Sequence, residues 1–246
     1  LGMVALANVL ADGLANSDLL DKFKAGLLTL PAISVLESRT NPADPIALFH
    51  ARRKVEAELG RLLTHQISAV LARHATLADT IPEPAEADMR RTVGGRALLN
   101  RLLSLAVADC DVGAIEFAAA QVHDQNMTLS QGAIVALNHC DHPARTTALQ
   151  HFHDRWREYP LVLEKWFMME ATSVVSGTIS RLKSLMNHPA FDENNPNKVR
   201  SVLGAFINGN PVHFYAEDGS GFEFIGECLI DIDVRNPQLA ARMVLP

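Results

Sequence analysis

The sequence predicts an all-α fold, a superhelical solenoid of antiparallel helix pairs, and three observations predict it. Apolar residues recur at helical spacing in almost every segment and alternate as in a strand in almost none. Leu163, Trp166 and Phe167 stand at i, i+3 and i+4, and Phe222, Ile225, Leu229 and Ile232 line one face. Helix starts are marked at Asp44-Pro45, Asn195-Pro196 and Asn236-Pro237, where a capping side chain precedes a proline whose missing N–H costs nothing in a first turn. Connections between periodic segments are short. About a dozen helices are too many for one simple bundle core, so stacked helical hairpins are expected.

In chain order the helices fall near 2–13, 17–28 and 44–75, the last opened by Asp44-Pro45 with Gly60 as its candidate break. A helix at 84–108 contains Gly94-Gly95; no strand precedes the pair, so close helix packing or a kink is expected there and not a phosphate loop. Helices near 112–124, 129–139, 143–158, 160–172 and 177–187 follow by period. Asn195-Pro196 opens 196–207, Ser220 and Glu223 form the pattern of a capping box at the head of 220–233, and Asn236-Pro237 opens 237–244. No sharp repeat stands at the tetratricopeptide or ankyrin period, so any repeat is degenerate. The expected organisation is a single all-helical domain over 1–246.

Composition excludes several functions. Net charge is −6, and basic residues are scattered in pairs such as Arg52-Arg53 and Arg90-Arg91, so no nucleic-acid footprint is expected. No apolar run approaches the roughly 18 residues of a membrane helix, and the apolar start has Asp12 and no basic n-region. Three cysteines, Cys110, Cys140 and Cys228, at unrelated spacings suggest neither a disulfide framework nor a metal knuckle, so a reducing, cytoplasmic setting is expected.

The stretch NHCDHPARTTALQHFHDRW, Asn138 to Trp156, holds the inventory of a zinc site. His139, Cys140 and His142 fall at a helix end and its turn, while His151 and His153 lie in the next helix. Residues two apart on a helix project to nearly opposite sides, so His151 and His153 cannot share an ion. A partial site from His139, Asp141 and His142 matches no established ligand spacing, and capping with surface polarity is preferred. None of the ten histidines is followed by Glu and no two are four apart, which excludes HExxH. GxSxG, Walker and GxGxxG patterns are absent too, so no catalytic centre and no metal site are expected in this chain.

Two arginines in the C-terminal stretch sit beside apolar stripes. Arg200 is next to Val199 and three before Leu203; Arg242 is three after Leu239 and just before Met243. Taken alone they read as partly buried ion-pair or capping residues, with Glu217 and Asp218 as candidate partners.

The runs NPNKVRSVLGAF, AEDGSGF and NPQLAARM, with WREYPLVLEKWFMMEATS and TNPADPIALFHARR upstream, resemble the C-terminal domain of bacterial aminopeptidase N, a zinc metallopeptidase of the gluzincin class. The likeness covers nearly the whole chain and is strongest from Asp154 onward. Tyr215 stands where the family has histidine, Phe222 where it has tyrosine, and the family continues beyond Pro246 with further helices. The resemblance implies a HEAT/armadillo-like right-handed superhelix that covers the active site and encloses the chamber admitting peptides. Zinc, its ligands and the catalytic glutamate would lie on a separate catalytic domain of the same polypeptide, a cytoplasmic protease, and this hydrolase would be inactive in the isolated chain. Arg200 and Arg242 match chamber-facing arginines. The expected partners are that catalytic domain and peptide substrates, with neither nucleic acid nor membrane. The rival readings are a free-standing helical-repeat module binding a protein or peptide, and a small metal-binding protein using the histidine cluster.

Overall fold

The computed structural model describes residues 2–75 and 92–244, and of residues 73–75 only the backbone. Among the described residues every regular element is a helix: α1 Met3–Ala15, α2 Asp21–Leu27, α3 Ile33–Glu37, α4 Pro45–Leu62, α5 Thr64–Ala75, α6 Val93–Ala106, α7 Val112–Gln121, α8 Met127–Leu137, α9 Pro143–Trp156, α10 Pro160–Thr172, α11 Thr178–Met186, α12 Pro196–Val199, α13 Ala205–Gly209, α14 Pro211–Phe214, α15 Ser220–Arg235 and α16 Pro237–Val244. A π-helical turn, Arg200–Gly204, joins α12 to α13 without a break. The expected all-α class is what the chain adopts, and α10 has the predicted bounds. The first part of the expected helix 84–108 lies outside the described residues. None of the described helices is long and apolar enough to cross a membrane.

The three Asx–Pro starts form as expected. Asp44 Oδ1 accepts from Ala47 N, Asn195 Oδ1 from Asn197 N and Asn236 Oδ1 from Leu239 N, at 2.9, 2.9 and 3.0 Å. A fourth, Asn210-Pro211, opens α14, which is too short to show a period and so went unpredicted. α3, five residues long, was missed for the same reason.

Two expectations about helix boundaries are corrected. The helix over 44–75 runs through Gly60 and breaks instead at Leu63, where the Thr64 hydroxyl donates to the carbonyls of Gly60 and Arg61. Gly60 serves packing, because a Cβ there would lie 2.2 Å from Leu105 O at the end of α6. At α15 the N-cap is Gly219, in the left-handed region with φ 75° and no side-chain cap, so the Ser220–Glu223 capping box does not form. Asp218 does the work, its Oδ1 accepting from Ser220 N at 3.0 Å.

The chain divides into two compact units, one of residues Leu1–Leu36 and His50–Leu137, the other of Glu37–Phe49 and Asn138–Pro246. In the first, α6 packs against α2, α5 and α8, and α7 against α8. Thr92 caps α6 through Gly95 N, and Gly94 comes so near α2 that a Cβ would lie 3.0 Å from Lys22 N, which is the close packing expected of the glycine pair. Glu56 is buried there and meets Arg52, Arg53 and Arg101 at 3.3, 3.2 and 2.9 Å, as a desolvated carboxylate must.

The second unit is built on α10, which packs against α9, α11, α13 and the π turn. Phe167, Val202, Leu203 and Phe206 are fully buried at its centre. A helix leaves its last carbonyls without partners, and here buried amides supply them. Asn138 Nδ2 donates to Met169 O at 2.7 Å, and Asn210 Nδ2 to Ala171 O and Ser173 O at 3.1 and 2.8 Å. Arg145 Nη2 holds Glu170 at 2.8 Å while its Nε donates to Asn138 Oδ1. Arg181 donates to Val175 O, Ser176 O and the Thr178 hydroxyl. The end of α10 is thus fastened by Asn138, by Arg145 of α9 and by the residue ahead of α14, while Arg181 of α11 holds the connection that follows.

Cys228 is a buried free thiol, its pKa pushed up to about 11 by burial and by Asp231 and Glu227.

Candidate functional site

Arg200 is the first residue of the π turn. Its neighbours Val199, Val202 and Leu203 are buried, which turns Arg200 to the exposed side. The guanidinium Nη1 donates to Asn197 Oδ1 at 3.0 Å, and no carboxylate reaches it among the described residues. Arg242 lies on α16, anchored by buried Leu239, Ala240 and Met243, and it too is exposed. Neither arginine is partly buried, and neither pairs with Glu217 or Asp218 as the sequence suggested. The Asp218 carboxylate is engaged by the hydroxyl and N–H of Ser220, which hold it below the ordinary carboxylate range. Both cations are therefore presented to solvent on rigid helices of the second unit, where a carboxylate could be met.

The histidine-rich stretch disperses. His139 lies edge-on to Phe49, with ring centres 5.7 Å apart, and His142 Nδ1 caps α9 by accepting from Ala144 N at 3.2 Å. His151 and His153 stand within α9, and His153 turns to His188, 35 residues further on. Among the described residues no three His, Cys, Asp or Glu side chains converge as a metal site.

Sequence reasoning missed the polar fastening of α10 and the His153–His188 pair. Asn138, Arg145 and Asn210 are all buried, but burial of a polar residue shows in no periodicity. Burial lowers the pKa of Arg181, with Arg145 adding to it and Glu170 opposing, yet guanidinium stays charged.

Over residues 3–246 the chain matches the family described as "Domain of unknown function (DUF3458_C) ARM repeats", whose repeat class agrees with the expected stack of helix pairs. It is 32% identical over 224 residues to aminopeptidase N of Escherichia coli, covering 90% of this chain and 25% of that protein. To aminopeptidase N of Caulobacter vibrioides it is 32% identical over 256 residues, covering 98% and 27%. Among solved structures it is similar to the crystal structure of Legionella pneumophila aminopeptidase A in complex with aspartic acid, with a TM-score of 0.81 and 26% identity, over 98% of this chain and 30% of that one. The chain spans about a quarter of the length of the curated relatives it matches.

Proposed function

This chain belongs to the DUF3458_C family, and from that premise we propose that it is the C-terminal helical domain of a zinc aminopeptidase, covering the active site and walling the chamber in which N-terminal residues are removed from peptides. The observation that carries the reading is the extent of the likeness: nearly the whole chain aligns with one part of aminopeptidase N from two bacteria. Zinc and the catalytic glutamate belong, in this reading, to a catalytic domain of the same polypeptide, and the chain alone has no activity.

Arg200 and Arg242 are the residues we place facing the chamber. Their exposure, and the lack of a carboxylate partner for either among the described residues, support that role. A guanidinium there would attract the carboxylate end of a short peptide whose amino end is held at the metal, without selecting a side chain.

The test is Arg200→Ala and Arg242→Ala in the full-length enzyme. KM should rise about tenfold or more for peptides with a free C-terminal carboxylate, and much less for aminoacyl anilides, which lack that group. Equal losses on both substrate types would remove the two arginines from the site. Hydrolysis of an anilide by the isolated chain would overturn the wider reading.

A further inference from the structure

A line of hydrogen bonds crosses the second unit from the α11–α12 connection to α9. Ala190 N lies 3.1 Å from His188 Nδ1, His188 Nε2 lies 3.2 Å from His153 Nε2, and His153 Nδ1 lies 3.1 Å from Asp154 Oδ1. A backbone amide can only donate, so His188 Nδ1 carries a lone pair and the proton of the neutral ring sits on Nε2. That proton points at His153 Nε2, which must accept it. His153 then keeps its own proton on Nδ1 and donates it to Asp154. Every bond runs the same way and ends on a carboxylate.

One further proton on the two rings has no place in this line. On His153 Nε2 it opposes the His188 Nε2–H. If His188 instead gives up that hydrogen and takes one on Nδ1, the new N–H opposes Ala190 N–H. Either arrangement replaces a hydrogen bond with two facing hydrogens. The same tautomers argue against an ion bridging the two Nε2 atoms, since one of them bears a hydrogen.

The surroundings make the added charge costly. The His188 ring lies against Trp166, Phe167 and His153, with centres 5.5, 5.5 and 5.2 Å away. Lys198 on α12 adds positive charge and is itself 3.7 Å from Glu164 on α10, while α9 contributes Asp154, on which Arg157 just after the helix acts in turn. Burial first, then His153 and Lys198, hold His188 below the ordinary imidazole range. The unfolded chain therefore takes up the proton first as pH falls below about 6.5, so stability is full above that value and declines toward the folded pKa.

We propose that the His153–His188 pair is a proton-operated latch, which fastens residues 187–195 onto α9 at neutral pH and releases them in weakly acidic solution. Trp166, with its ring centre 4.8 Å from that of His153, is a built-in reporter, because an imidazolium quenches indole emission more strongly than a neutral ring does.

The experiment uses the full chain with Trp156→Phe, leaving Trp166 as the only tryptophan, and ¹⁵N-labelled histidine. At neutral pH the imidazole nitrogen shifts should place hydrogen on Nε2 of His188 and on Nδ1 of His153. Lowering the pH should produce one emission step, lost in His188→Gln. Asp154→Ala alters a half-exposed side chain and should leave the fold intact while moving the step to lower pH, as the line of bonds then ends without the carboxylate charge that offsets an added proton. Hydrogen on Nδ1 of His188, a step that survives His188→Gln, or one unmoved in Asp154→Ala would each overturn the latch.

Discussion

Arg145 and Glu170 meet at 2.8 Å with 6% and 14% of their side chains exposed, which makes theirs a largely desolvated ion pair. Removing one partner strands the other. Among the described residues Arg145→Met leaves Glu170 only the Nε of Arg181, 3.8 Å away, and should cost about 3–5 kcal/mol in urea denaturation. Arg145→Met combined with Glu170→Met should cost less than the sum of the two single changes, since the double variant buries no lone charge.

Asn210 closes α10 and opens α14 with one side chain. Asn210→Ala abandons two buried carbonyls and one N–H, so a loss of about 2 kcal/mol or more is expected from the denaturation midpoint. Asn210→Asp keeps the acceptor for His213 N but has no N–H to offer the carbonyls. It should be no better than alanine, and a near-native midpoint would show that only the N-cap matters.

At the head of α15, Asp218→Ala should lower Tm more than Glu223→Ala, because the carboxylate that engages Ser220 is that of Asp218. The Asp218 pKa is lowered in the folded state, so its contribution is present above the unfolded value near 4 and lost as pH falls through the folded one. The Tm gap between wild type and Asp218→Ala should therefore narrow in acid. A gap that is the same at pH 3 and pH 7 would mean the carboxylate charge plays no part.

Arg200→Ala and Arg242→Ala should leave the melting curve almost untouched, within about 0.5 kcal/mol, since both side chains are exposed and neither meets a carboxylate among the described residues. That expectation gives the kinetic test its meaning. A loss well beyond that figure would mark the arginines as structural.

The helices were legible because their signal is local. Apolar spacing and Asx–Pro pairs act within one or two turns, and α10, α12 and α16 begin where those pairs or prolines stand. The capping box failed because a Ser-x-x-Glu pattern does not say which residue takes the cap conformation, and Gly219 with Asp218 competed successfully. The contacts that fasten α10 join residues 25 to 39 positions apart, such as Arg145 to Glu170 and Asn210 to Ala171, and nothing in a linear pattern reports them. The environment of the two arginines was misjudged for the same reason, because an apolar neighbour in sequence fixes a helical face but not what lies opposite it.

The π turn at Arg200–Gly204 has a consequence for insertion and deletion. Such a turn holds an extra residue within an otherwise α-helical run. Deleting one residue inside it would let the run close as a regular α-helix while α12 and α13 keep the faces they now present, because the wide turn absorbs the surplus residue. Buried Lys198, which lies ahead of the turn, would keep its bond to Pro160 O, now 3.0 Å long. A natural relative lacking the extra residue would present the same two faces with one column fewer between them, so correspondence at this helix has to be judged by which face a guanidinium occupies and not by aligned columns.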